Sequence, residues 1–552
     1  MSSIRQAVAM AMAVSLTTLA AGTWLADPPP ADGVLQRQSK PNVVMIIVDD
    51  MRADDLRFMP RTRRLLGGQG ATFANSFSPY PLCCPARASI FLGQYTHNHR
   101  VFTVAAPYAF PALKDQSTLA TWLQAAGYST VLLGKYMNGY GDLPKPGATK
   151  GKSLHYVPPG WTDWRASIEG GIPPSHSAFG NTYAYDDTTL SHQGEGFDNY
   201  QGRYQSTVYG DLSTDIIQAR AASDKPFFLY ASYTAPHSGG PPEPDDPRNV
   251  RDRNGNPVQI LTPARADHVK GMFDDVITAA PGAYWRDPDI SDKPRYLRRR
   301  LLTNRAERVA LRELTRQRAE ALYLVDRQVK RTIDALAASR ELDETLVIFT
   351  SDNGYFLGEQ GIRQGKTLPH DPSLRTPLLM RGPGIPAGEV RYDPFLSIDF
   401  APTIADVAGA TPGVPVDGVS MLDVARHGDI GWRRAVLTEL GPKGLVRNTD
   451  ESGLPLDVDD PGERDLRWAI GIRTDRYLYV DLATKEEELY DMATDPDQYH
   501  NLAGKSAHAE LLALMREQLT RMRACDASEC QASLPQQLTT APGQSIAAGD
   551  RP

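Results

Sequence analysis

The sequence predicts an α/β protein: a large, mostly parallel sheet flanked by helices, followed by a smaller C-terminal antiparallel α+β subdomain. The first observation is a set of short apolar, β-branched runs at 42–48, 129–133, 226–232 and 345–350, with another beginning at 377–380. They do not alternate, which is how strands buried on both faces of a parallel sheet read. The second is the periodicity between them. Leu322, Val325, Val329, Ile333 and Leu336 recur at helix spacing immediately before the 345–350 run. The third is a change of composition after about Gly428, where 435–437, 468–473 and 477–481 read as short alternating strands and 507–523 as a helix.

The N-terminus reads as an export signal. Arg5 supplies a short positive region, 7–21 is mostly Ala, Val, Met and Leu, and Ala20, Ala21 and Ala26 offer small residues for a peptidase. Ser15, Thr17 and Thr18 interrupt the apolar stretch, so no stable membrane span is expected; the alternative is an uncleaved anchor. The expected division is a signal peptide over 1–26, a disordered leader over 27–40, the main domain over 41–428, the subdomain over 429–530 and a disordered tail over 531–552. Export implies a secreted, periplasmic or cell-surface location. With 552 residues and a net charge of −7, the chain can bury a large core and carries no global basic field for nucleic acid.

Residues 139–202 are rich in Gly, Pro, Tyr and Trp, and 238–301 in Pro and charge; both read as long functional loops or insertions. Tyr156 and Trp161 could stack on a sugar or aryl group, or belong to the core. The run Arg298, Arg299, Arg300 reads as a solvated face, or as a contact for a sulfated polymer.

Asp49, Asp50, Lys135, His237, Asp352 and Asn353 all fall just after strand runs. In open α/β sheets the ligand site lies at the carboxyl ends of the strands, so these residues belong to one site. Asp49, Asp50, Asp352 and Asn353 offer hard oxygen ligands, which favour calcium, with magnesium possible; no Cys/His cluster has zinc spacing. The four cysteines form two groups. Cys525 and Cys530 could close a small disulfide loop in an oxidising compartment. Cys83 and Cys84 are adjacent, a strained geometry for a bridge, and stand before Pro85, which suits the first turn of a helix. Cys83 is therefore placed just ahead of a helix N-terminus, with Arg87 one turn in and able to fold back toward it.

The segment Cys83-Cys84-Pro85-Ala86-Arg87 resembles the signature of the formylglycine sulfatases, in the alkaline phosphatase superfamily, and its doubled cysteine resembles the N-acetylglucosamine-6-sulfatase branch. Other segments resemble family motifs in family order: 41–50, 93–99, Gly134 to Asn138, Ala235-Pro236-His237, 350–354, 365–377 and 488–502. The resemblance implies an alkaline-phosphatase-like fold whose catalytic domain is 41–428. It implies that a maturation enzyme oxidises Cys83 to formylglycine (3-oxoalanine). Asp49, Asp50, Asp352 and Asn353, with residue 83, would hold the cation, and Arg87, Lys135, His237 and Lys366 would serve the reaction.

The implied reaction is hydrolysis of a sulfate ester, of a sulfated sugar or an aryl alcohol. The hydrated aldehyde attacks sulfur, and the alcohol leaves with a proton from His237 or Lys366. One departure affects the last step. Many members carry a His two residues after the first lysine, where this chain has Met137. His97, His99 or Asn138 could contribute by position instead. A phosphonate or phosphate ester hydrolase on the same site, and an inactive glycan-binding homologue, are the competing readings.

Overall fold

Asn42–Val48, β1, lies at the centre of the main sheet and shows why its sequence does not alternate. Val43, Met45 and Ile47 pack on one face with Cys84, Ala88 and Phe91, while Val44, Ile46 and Val48 pack on the other with Leu322, Val325 and Val329. Both sides of the strand are core, so both need apolar residues. In the computed structural model, residues 40–298, 302–441 and 467–546 are described. The expected signal, nearly all of the leader, and Arg299 and Arg300 lie outside the described residues.

The sheet has eight strands. After β1 come β2 (Ala71–Phe73), β3 (Ser129–Gly134), β4 (Asp163–Ala166), β5 (Phe227–Ser232), β6 (Thr345–Ser351), β7 (Leu378–Arg381) and β8 (Glu389–Arg391). Their spatial order is β8-β2-β7-β6-β1-β5-β3-β4. β6, β1, β5, β3 and β4 run parallel, and β7 is antiparallel to β6 and β2, so the sheet is mixed at one side. Helices α1 (Cys83–Leu92) and α4 (Phe400–Ala408) contribute to one face; α2 (Gln205–Ala221) and α3 (Arg305–Ala338) contribute to the other. The α3 start is capped by Asn304, whose side chain accepts from Glu307 N while Glu307 accepts from Asn304 N.

One loop expectation needs correction. Residues 139–202 are not structureless: β4 extends the main sheet, and Thr189–His192 pairs with Gly196–Asn199 in a ribbon. Of the two readings open for Trp161 and Tyr156, Trp161 belongs to the core, packed against Trp164, and Tyr156 is partly buried at its edge.

The C-terminal sheet is antiparallel, ordered β9 (Val436–Leu440), β10 (Ala469–Arg473), β11 (Tyr477–Leu482) and β12 (Glu487–Asp491). α5 (Ala509–Met522) packs Met515 and Leu519 in one cluster with Ile470 and Ile472. The described residues from Lys40 onward form one compact unit, so the second sheet is not a detached domain. The expected tail is also corrected. Over 531–546 it is packed: Leu534 and Leu538 are buried, Arg434 bridges Ser533 and Trp432 bridges Thr540. Two leucines are enough to anchor a segment that is otherwise polar. Cys525 and Cys530 are joined by a disulfide, and Cys83 and Cys84 are free and buried.

Candidate active site

β1 and β6 are adjacent and parallel, so the residues after them emerge side by side. Asp49, Asp50, Asp352 and Asn353 are all fully buried there. Asp50 has φ +68°, a left-handed conformation that Asp tolerates better than most residues. Its backbone N donates to Asp352 Oδ1 at 3.2 Å, and Arg318 Nη2 donates to its carbonyl at 2.5 Å. Asn353 Nδ2 donates to Asp50 Oδ1 at 2.7 Å.

Cys83 is the first residue of α1 rather than the residue before it. Its Sγ lies 3.2 Å from Asp49 Oδ1, 3.9 Å from Asp50 Oδ1 and 3.0 Å from Lys366 Nζ. Lys366 also donates to Asp50, and Lys135 donates to Asp49. His237 Nε2 is 3.7 Å from Asp50 Oδ2, while its Nδ1 is 2.7 Å from Ser238 O. All five reaction residues named from the sequence therefore gather on one carboxylate cluster.

Arg87 is fully buried and spoken for. Its Nε donates to Asp352 Oδ2 at 3.0 Å, and Nη1 donates to Ser232 Oγ at 2.7 Å and Lys135 O at 2.9 Å. Nη2 stands 3.5 Å from Asp49 Oδ2. It orients the cluster rather than lying open to a substrate.

The charge balance is informative. Burial opposes ionisation of Asp49, yet Lys135, His237, Arg87 and Lys366 hold its carboxyl well below the usual range. Burial and then the neighbouring Asp49 push Asp352 up, with Arg87 opposing. The Cys83 thiol is raised well above its ordinary value, by burial first and then by Asp49. Cys84 is pushed up to about 12 by burial and by Glu169.

The donor set fits a hard divalent cation. Asp49, Asp50, Cys83 and Asp352 each offer a ligand atom within 4.8 Å of the others, and buried Asp50 Oδ2 and Asn353 Oδ1 have no hydrogen-bond partner. Three carboxylates face the cations Lys135, Lys366 and Arg87. A divalent ion would leave the site net positive, as an anionic substrate requires.

Comparison with known proteins identifies the family. The Sulfatase family model matches residues 41–410. The chain belongs to the sulfatase family. This sulfatase is 32% identical over 392 residues to the extracellular sulfatase SULF-1 homologue of Drosophila melanogaster, covering 70% of the chain and 31% of that protein. It covers 53% of the putative extracellular sulfatase Sulf-1 homologue of Caenorhabditis elegans, so it spans only a third to a half of these two relatives. It is 27% identical over 525 residues to N-acetylglucosamine-6-sulfatase of Capra hircus, covering 90% of the chain and 86% of the relative. Among solved structures, BT4656 in complex with its substrate D-glucosamine-2-N,6-O-disulfate superposes with TM-score 0.66 at 20% identity, covering 89% of this chain and 98% of that one. The phosphonate monoester hydrolase of Silicibacter pomeroyi superposes with TM-score 0.61 at 23% identity, covering 91% and 99%.

The three residues expected to contribute by position hydrogen-bond outside the carboxylate cluster of this sulfatase. His97 pairs with Glu439 at 2.9 Å and with Cys525 O at 2.7 Å. His99 is buried between Ser89 Oγ and Val101 N, and burial lowers its pKa to about 3. Asn138 donates to Glu169 at 3.0 Å and Tyr183 OH at 2.9 Å. Sequence reasoning missed Tyr183, Glu169 and Ser232. The Tyr183 ring lies 4.9 Å from Lys135 Nζ and 4.9 Å from the His237 ring, and its hydroxyl donates to Glu169 at 2.7 Å. It buttresses two site residues at once. No periodic signal marks it, although the density of tyrosines in 139–202 did mark the segment.

Proposed function

We propose that the chain is an exported sulfuric ester hydrolase that acts on a sulfated sugar, with residue 83 working as formylglycine rather than cysteine. The observation that carries this is the convergence of Cys83, Lys366, Lys135 and His237 on the Asp49–Asp50–Asp352 cluster. The maturation enzyme that makes the aldehyde would be a partner of the unfolded or nascent chain, since position 83 is buried once folded.

Asp49, Asp50, Asp352 and Asn353, with the side chain of residue 83, would hold the cation, calcium or magnesium. When bound it would draw charge from the sulfate oxygens as the transition state forms. Lys135 and Lys366 would bind those oxygens as well. Water adds to the aldehyde to give two hydroxyls on one carbon. Asp49, 3.2 Å from the Cys83 Sγ position, is placed to accept the proton of the attacking hydroxyl. That oxygen bonds to sulfur, and the sulfur–alkoxide bond breaks. His237 or Lys366 gives the alkoxide its proton. The second hydroxyl then loses its proton, the carbon–oxygen bond to sulfate breaks, the aldehyde returns, and Asp49 gives its proton up to water. With His97 and His99 tied elsewhere, His237 and Lys366 are the groups at hand for that last proton.

The sulfated-sugar reading rests on the named activities of the relatives, and export on the 1–26 pattern and the extracellular relatives. No helix among the described residues is long and apolar enough to cross a membrane. The phosphonate hydrolase shares the fold alone, so the deciding experiment is a parallel assay. Matched sulfate and phosphate esters, including 6-O-sulfated glucosamine and an aryl sulfate, should show sulfate ester hydrolysis dominating. Faster turnover of the phosphate or phosphonate ester would overturn the reading.

A further inference from the structure

Lys366 sits in a strained turn. Gly365 has φ +119° and Thr367 has φ +68°, a left-handed conformation that a β-branched residue strongly resists. Such strain persists only where the surroundings over-determine it. Two backbone ties hold the near side: Phe356 N donates to Gly365 O at 2.7 Å, and Thr367 N to Pro81 O at 3.2 Å, close to the start of α1. The far side of the segment is held by the second sheet. His370 Nε2 lies 3.0 Å from Glu488 Oε2 on β12, and both side chains are wholly buried.

The Glu488 carboxylate is itself fixed. It accepts from Tyr296 OH at 2.6 Å and from Tyr490 OH at 2.7 Å. Burial opposes its ionisation, but His370, Tyr296 and Tyr490 hold it below the usual carboxylate range. His370 in turn starts the short helix Asp371–Leu374, where its carbonyl accepts from Ser373 N and Leu374 N at 3.0 and 3.1 Å. The loop that follows β12 makes a further contact nearby, where Gln498 accepts from Gln360 Nε2 at 2.9 Å. Taking a histidine and a carboxylate out of water is an expensive way to stabilise a fold, so the value of this contact lies in what it positions.

We propose that Glu488 is a positioning residue for Lys366, acting through His370, so that the C-terminal sheet sets the distance between the Lys366 ammonium and residue 83. This rests on the sulfatase reading. It assigns the C-terminal sheet a part in the chemistry although it supplies no group that touches the reacting atoms.

The test uses the full-length, matured enzyme carrying Glu488→Gln, His370→Leu or His370→Gln. Glu488→Gln keeps an acceptor but removes the charge; His370→Leu breaks the link from the other side and leaves Glu488 its two tyrosines. His370→Gln retains a donor and should retain most activity. In the first two, kcat should fall about ten- to a hundred-fold with KM within about two-fold. Hydrogen exchange should rise in peptides covering 362–374 and stay native in those covering 84–92. Because the effect runs through Lys366, adding Glu488→Gln to Lys366→Met should cost little beyond Lys366→Met alone. Native exchange across 362–374 in both link-breaking variants, an unchanged kcat, or losses that simply add would each overturn the proposal. If the native enzyme cleaves no sulfate ester, the sulfatase reading fails instead, and the exchange measurement still decides whether Glu488 holds the Lys366 segment.

Discussion

His237 Nε2 faces Asp50 Oδ2 across 3.7 Å, while its Nδ1 is engaged by the carbonyl of Ser238. With Nδ1–H donating to that carbonyl, a proton on Nε2 points into the site, and this is the arrangement a general acid needs. His237→Ala should therefore slow esters with poor alcohol leaving groups far more than activated aryl sulfates, by about a hundred- to ten-thousand-fold at the poor end. The measurement is turnover against leaving-group pKa. A variant slope no steeper than the native slope would reassign His237 to sulfate binding and leave Lys366 as the acid.

Removing the cation should abolish turnover and also lower the melting temperature, because ion binding stabilises only the folded state. Chelation followed by calcium should restore both. Asp352→Asn should weaken the ion and keep the fold. Asp352→Ala should do more damage, since it strands the buried Arg87 guanidinium, a loss of about 3–5 kcal/mol for a broken buried pair. Equal melting points for the two variants would contradict this account of Arg87.

Much of this site was legible in the sequence because its residues stand at strand ends. Asp49-Asp50 and Asp352-Asn353 end two apolar runs, and parallel pairing of those runs forces them together. Lys135 and His237 were placed by the same logic after β3 and β5. The supporting layer was not legible. Tyr183 and Glu169 come from an irregular segment, and the Glu488–His370 pair joins residues 118 apart that no periodicity connects. The start of α3 was hidden as well, because 305–320 is dense in Arg and Glu and masks the apolar stripe that is plain from Leu322 onward.

The His97–Glu439 pair gives stability its own pH dependence. Burial works against charging His97, but Glu439 more than compensates and raises its pKa. Burial likewise opposes the Glu439 charge, while His97 and Arg467 lower its pKa. A raised folded-state pKa contributes stability that is full below the unfolded value, about 6.5 for His, and is lost as pH rises through the folded value. The native melting temperature should thus exceed that of His97→Gln most near about pH 6 and converge toward it on the alkaline side. A gap that widens with rising pH would show that the histidine is held neutral.

The disulfide should matter locally. It closes a loop with a sequence separation of 5, and Cys525 O accepts from Asn98 Nδ2 at 3.0 Å. Replacing both cysteines with serine should cost about 2 kcal/mol and leave turnover close to native. Loss of turnover at an unchanged melting temperature would mean the bridge shapes the active site through the 96–99 turn.

The central claim is that residue 83 acts as formylglycine. The most direct measurement is the mass of the tryptic peptide containing residue 83, taken across preparations made with and without a maturation enzyme and compared with their sulfate ester turnover. Turnover should rise in proportion to the fraction of aldehyde at 83, with Cys84 remaining a thiol. Full turnover in a preparation whose residue 83 is entirely unmodified cysteine would contradict it.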